Sequence, residues 1–351
     1  MPIWIRGATT GALMVALSGL FWADAAVADP IADFYRGKQV SVIIPSPPGG
    51  GYDLYARFLA RYIGKHIPGN PAVVPRNMPG AGGIIATNHL ANIADRDGLT
   101  FGILQNTNTL DQLAKSPNVK FDVRTLSWIG SMSTSSTICA LSGPAKDVSG
   151  KELLEKEVLV GGSTGSPTTI PLLLNSLAGT RFKIIRGYAG TAPVVLAMEK
   201  GEVNGICGWA WDGARVNARD MLSRGFIKVA LDIGIEPLPE LQKMGVPFLM
   251  DLVAEGDNKE ILKIILSTQV YGRPFATTPG VPPERLKALR EAFVATLKDP
   301  ELLAEGQKLN IDIQYLPPER ILDLIKLALD APPRLQERAV EELHKAGFGG
   351  G

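Results

Sequence analysis

The chain has 351 residues, with 36 lysines and arginines against 35 aspartates and glutamates, a net charge of +1. That balance argues against a nucleic-acid partner, which needs surplus cations to neutralise phosphates. With 45% hydrophobic and 20% charged residues it can bury a sizeable core, so it is not a disordered tail, and its length predicts two or three domains.

The N-terminus carries a single cation, Arg6, then an uncharged run centred on 11–22, then Ala26-Val27-Ala28. These are the parts of a cleavable secretory signal peptide over 1–28, and the apolar run is shorter than the ~20 residues of a membrane-spanning helix. Cleavage would remove Arg6 and Asp24 together and leave the charge unchanged. The mature protein is therefore expected in the periplasm. In that oxidising compartment Cys139 and Cys207 can pair, although both also suit small buried hydrophobes in strand-like runs. With three histidines, none near either cysteine, no metal site is expected.

Along the chain, Val40-Ser41-Val42-Ile43-Ile44 reads as a buried parallel strand, stopped by Pro45 and the Pro47-Pro48-Gly49-Gly50-Gly51 turn. A helix opens near Tyr52 and Asp53, with Leu54, Phe58, Leu59, Tyr62 and Ile63 on one face. Strands over 72–74 and 99–104 flank a helix over 84–93. The grammar restarts with strands over 157–160, 183–185, 203–207 and 227–231, separated by a helix over 169–178 and one that Thr191 can cap, with Pro193 in its first turn. Two α/β units with parallel sheets follow. From Pro282 onward three helical stretches are expected, punctuated by Pro300, Pro317-Pro318 and Pro332-Pro333.

Ligands of open α/β sheets bind at the carboxyl ends of strands. Four loops rich in Gly, Ser and Thr stand there, at 47–53, 106–108, 163–169 and 188–191, each running into a helix N-terminus. Free N–H groups and the helix dipole make such loops receptive to anions. With no Lys or Arg in them, they suit a carboxylate better than a polyphosphate. The candidate ligand-binding residues are Pro48, Gly49, Gly50, Gly51, Asp53, Asn106, Thr107, Ser163, Thr164, Ser166, Thr168, Tyr188, Gly190 and Thr191. Trp209, Trp211 and Asp212 join them if the indoles face a cleft; facing inward, they are core aromatics.

Nucleotide motifs fail, and no cofactor is expected. Gly80-Ala81-Gly82-Gly83 lacks the third glycine of G-x-G-x-x-G, and Gly37-Lys38 is not a P-loop. Gly161-Gly162-Ser163-Thr164-Gly165 does fit the G-x-S-x-G elbow of a serine hydrolase. The only downstream histidine for its triad is His344, in a sequence that reads as an exposed terminal helix.

The order of motifs resembles a known family. Pro45, Pro47-Pro48-Gly49-Gly50, Asp53, Ala56-Arg57, Asn77, Pro79-Gly80-Ala81-Gly82-Gly83, Asp97-Gly98 and Thr100 are similar to the first-lobe motifs of extracytoplasmic solute receptors of tripartite tricarboxylate transporters, the Bug or TctC-like family. Gly162-Ser163-Thr164-Gly165, Tyr188, Gly190, Ala192-Pro193 and Thr278-Pro279-Gly280 resemble its later motifs. The resemblance implies a type II periplasmic binding-protein fold, two α/β lobes closing by hinge motion around a small carboxylate. It also implies a non-catalytic receptor that serves the transporter's membrane components, and a monomer is expected. The lobes would be 29–133, with 270–351 returning to it, and 134–269. Against the receptor stand a hydrolase centred on Ser163 and a ligand-sensing module for a signalling partner.

Overall fold

The computed structural model describes residues 1–4, 29–134, 136–163, 165–309, 311 and 313–348. Most of the expected signal segment and Thr164 therefore lie outside the described residues. The chain runs α1 (Pro30–Tyr35), β1 (Gln39–Ile44), α2 (Gly51–Ile63), β2 (Ala72–Asn77), α3 (Ile84–Asn92), β3 (Thr100–Ile103), α4 (Asn108–Leu113) and β4 (Ser127–Ser131). It continues through β5 (Thr137–Ser142), α5 (Glu152–Glu155), β6 (Val158–Ser163), α6 (Ser166–Leu177), β7 (Phe182–Tyr188), α7 (Thr191–Glu199), β8 (Gly205–Ala210), α8 (Trp211–Asn217), α9 (Arg219–Ser223) and β9 (Ile227–Ile233). Then come α10 (Pro239–Lys243), α11 (Leu249–Leu252), α12 (Asp257–Val270), β10 (Pro274–Thr277), α13 (Pro283–Leu297), α14 (Pro300–Leu309), α15 (Pro318–Leu329) and α16 (Pro333–Lys345).

Two five-stranded sheets result, ordered β2-β1-β3-β10-β4 and β7-β6-β8-β5-β9. In the first, β1 lies parallel to β2 and β3, so Val42 faces Pro75 on one side and Phe101 on the other. Both sheets are mixed rather than purely parallel, because β10 and β5 run against their neighbours. Those two strands are where the chain crosses between units, and a crossing strand enters from the far side. The apolar face of α2 buries Phe58, Leu59 and Ile63 against Val42, Ile44 and Phe101. The second sheet is covered on one face by α6, α12 and α16 and on the other by α7 and α8.

The C-terminal region differs from expectation in two ways. It forms four helices, since Pro300 starts α14 instead of merely breaking a helix; proline suits a first helical turn. It also does not all return to the first unit. Leu335, Ala339 and Leu343 of α16 pack in one cluster with Leu173 and Leu174 of α6 and Ile261 and Ile265 of α12, so the last helix belongs with the second sheet. Leu110 and Leu113 of α4 join the same cluster and tie the units together.

Cys139 and Cys207 are directly paired residues on β5 and β8, with Cα atoms 4.0 Å apart, and form a disulfide. Beside it the β5–β8 register shifts: Ile138 faces Trp209 while Cys139 faces Cys207, so Gly208 is the extra residue of a β-bulge. No described helix is long and apolar enough to cross a membrane.

Candidate functional site

The topology brings the loops of the two units to one place. β4 ends at Ser131 on the carboxyl edge of the first sheet, and β5 begins at Thr137 opposite Ala210, on the carboxyl edge of the second. The short segment 132–136 therefore joins the two carboxyl edges. A second crossing, 271–273, lies beside it: the Gly272 N–H donates to the Ser133 carbonyl (3.1 Å) and the Met132 N–H to the Arg273 carbonyl (3.0 Å). Two strands hydrogen-bonded in this way make a hinge, and the glycine loops flank it.

α2, α6 and α7, each of nine or more residues, open at this edge without a side-chain cap, as does α3 after Gly83. α2 starts after Gly50, α6 after Gly165 and α7 after Gly190, and in none does a side chain bond the first N–H groups. Ser, Thr or Asp would ordinarily fill those positions. Uncapped N-termini leave donors free for an external acceptor and hold the positive end of each dipole toward it. The expectation that Thr191 caps α7 is corrected here: Thr191 is its first residue and Gly190 the cap.

Asp53 serves the first loop from within. Its Oδ2 accepts the Gly49 N–H (2.9 Å), and its Oδ1 accepts from Arg57 Nε (2.9 Å) and Asn77 Nδ2 (2.8 Å). Asn77 also donates to the Ser46 carbonyl (2.8 Å), so both ends of the turn are tied to one buried carboxylate. Asp53 shapes the loop, and its oxygens are already occupied. Burial raises its pKa, but the Gly49 N–H, Asn77 and the Arg57 guanidinium outweigh burial and hold it below the ordinary 3.8. A carboxyl depressed on folding stabilises the fold above its unfolded value and loses that contribution as pH falls through the folded one. Asp53→Asn is expected to cost about 2 kcal/mol at neutral pH. The difference from wild type should shrink below pH 3.8, as read by unfolding midpoints across an acid series.

The other candidates fall into groups. Asn106 is held by Tyr52: its Oδ1 accepts from the Tyr52 hydroxyl, which accepts the Asn106 N–H, both at 3.2 Å. Thr107 sits between it and α4 and is half-buried. Pro48, Gly49, Gly50 and Gly51 are exposed at the edge. Ser163 ends β6, is buried, and its carbonyl accepts from Thr168 Oγ1 (2.6 Å); Ser166 is exposed at the start of α6. Tyr188 and Thr191 are half-buried. Trp209 packs with Ile138, Val194 and Ala214, which makes it a core aromatic and removes it from the cleft set. Trp211 is also buried and donates from Nε1 to Glu240 (2.9 Å), but with Asp212 it lines a cavity of about 640 Å³ reaching to Gln307.

A residue that local sequence reasoning missed is Arg273, whose guanidinium lies over the Tyr52 ring at 4.7 Å. It comes more than 200 residues after the loop it adjoins, and only β10, inserted between β3 and β4, brings it there. As for the hydrolase alternative, His344 is exposed on α16 and His66 bonds Asp299 (2.8 Å).

Two hinged α/β lobes of this strand order, with helix-starting loops facing the hinge, define a type II periplasmic binding-protein fold. The solved structures agree. The chain is similar to a TctC solute-binding protein from Polaromonas, with TM-score 0.68 and 20% identity over 89% of this chain and 99% of that one. It is also similar to MatC from Rhodopseudomonas palustris, solved with bound malate, with TM-score 0.52 and 18% identity over 88% and 98% of the two chains. In sequence, 88 residues are 43% identical to Protein BugT of Bordetella pertussis, a match over 25% of this chain and 26% of that protein. No family model matches the chain. The fold likeness extends over nearly the whole described chain, whereas the sequence match spans about a quarter of the relative's length.

Proposed function

We propose that this chain is a Bug/TctC-like extracytoplasmic solute receptor. It captures a small organic carboxylate in the periplasm and delivers it to the membrane components of a tripartite tricarboxylate transporter, without catalysis. The single observation that carries this reading is the set of uncapped helix N-termini, α2 and α3 from one lobe and α6 and α7 from the other, on carboxyl edges joined by one hinge. Donors on both sides of a hinge favour an anion that holds the lobes together, so the closed state gains the ligand's differential affinity. The bound malate of MatC supports the ligand class. The proposed site comprises the first-lobe turn at Gly49, Gly50 and Gly51, the Asn106–Tyr52 pair, and Ser163, Ser166, Thr168, Tyr188, Gly190 and Thr191.

A thermal-shift screen of dicarboxylates and tricarboxylates against the mature chain tests the reading. At least one acid should raise the midpoint by mass action, and the corresponding neutral amide should not. Stabilisation by neutral solutes alone, or by no acid at all, would count against a carboxylate receptor. Ester turnover lost in Ser163→Ala would favour the hydrolase instead.

A further inference from the structure

A cation stands where the fold is already positive. The Arg273 backbone is fixed to the hinge, its N–H donating to Ser131 Oγ (3.1 Å) and its carbonyl accepting from Met132. Its guanidinium carbon lies 4.7 Å from the Tyr52 ring centroid and 5.0 Å from that of Tyr55, so two ring faces orient it. Nη1 folds back onto the Gly272 carbonyl (2.9 Å), and Nε is buried without an acceptor. Nη2 lies against α2: a Cβ placed on Gly51, the first residue of that helix, would be 3.2 Å away.

That location is electrostatically unfavourable for the empty protein. A guanidinium beside a helix N-terminus adds positive charge to the positive end of the dipole. No carboxylate pairs with Arg273 among the described residues, and Asp53, the acid in the first turn of α2, is committed to Gly49, Arg57 and Asn77. The tyrosine faces offset part of the repulsion. An anion lying between the guanidinium and the α2 N–H groups would remove the rest, and the hinge position puts that anion where the two lobes meet.

We propose that Arg273, together with the free N–H groups that open α2, binds one carboxylate of the ligand on the first-lobe side of the cleft and so restricts the receptor to anionic acids. This rests on the carboxylate-receptor reading and adds to it the residue that enforces charge. Lysine is a poor substitute, because only a planar guanidinium can stack on two tyrosines and hold the Gly272 carbonyl through Nη1 while Nη2 stays directed at the α2 N-terminus.

The test is calorimetric titration of the mature chain and its variants with malate, succinate, adipate and citrate, and with neutral succinamide. Wild type should bind at least one acid and not succinamide. Arg273→Gln should weaken that acid by about 30-fold, with Arg273→Lys intermediate and the ligand-free midpoint little changed. Gly51→Ala, which pushes on Nη2, should weaken binding as well. Acid affinity in Arg273→Gln and Arg273→Lys within about threefold of wild type would overturn the role of Arg273 and leave the receptor reading standing. If Arg273→Gln does not fold, Arg273→Lys and Gly51→Ala decide between the same two results. Wild type that binds succinamide as well as the acids, or binds no acid, would overturn this inference and the carboxylate reading together.

Discussion

Gly208→Ala is expected to lower the unfolding free energy by roughly 3 kcal/mol or more and to abolish acid binding in whatever protein still folds. Gly208 is the bulge residue of β8, with φ +94°, where a side chain is strained. A Cβ there would stand 2.2 Å from the Ser166 carbonyl oxygen and 3.0 Å from the Pro167 Cα, both backbone atoms with nowhere to turn. Relief requires moving the first turn of α6, which is one of the uncapped N-termini at the proposed site. One methyl therefore strikes stability and site together. Gly225→Ala is the control: its φ is +66° but nothing lies within 4 Å of its Cβ, so only backbone strain of about 1 kcal/mol should appear. Urea unfolding of both variants separates the two terms. Equal small losses would mean that α6 does not rest on the bulge as described.

The second large effect concerns the disulfide. Cys139 and Cys207 are 68 residues apart in sequence, and a loop of that length gives a stabilisation of about 4 kcal/mol from the restricted unfolded chain. Both cysteines are fully buried on the two strands that flank the bulge, so the double variant Cys139→Ala, Cys207→Ala also leaves a small void. The unfolding midpoint of the double variant should fall by that margin, and a reductant should bring wild type to a similar value. A midpoint unchanged by both treatments would show that the pair adds nothing.

Much of this was legible from sequence, for identifiable reasons. The run of apolar β-branched residues in β1, the proline-glycine stop and the face of α2 are local signals, and the structure reproduces them at Gln39–Ile44 and Gly51–Ile63. The loops at the carboxyl ends followed from the alternation of strand and helix. What stayed hidden was nonlocal. β10 is a four-residue strand between Arg273 and Thr278, too short to carry a periodic pattern, and it gains its identity only by inserting between β3 and β4. Arg273 was missed with it. α16 reads simply as an amphipathic helix, and nothing in its pattern says that its apolar face meets α6 and α12 instead of the first lobe. Asp53 could be placed in a helix's first turn, four residues before its partner Arg57, but its bond to Asn77 could not be read, because Asn77 comes from the end of another strand. The tryptophans show the limit plainly. Trp209 and Trp211 share one sequence environment, yet one is enclosed in the core and the other borders a cavity.

An acid bound between the lobes is expected to draw them together about the crossings at 132–134 and 271–273. Small-angle X-ray scattering of the mature chain, with and without a saturating concentration of whichever acid stabilises it, measures this directly. The radius of gyration should fall with the acid and stay unchanged with its neutral amide. An acid that binds tightly yet leaves the radius of gyration unaltered would contradict that closure.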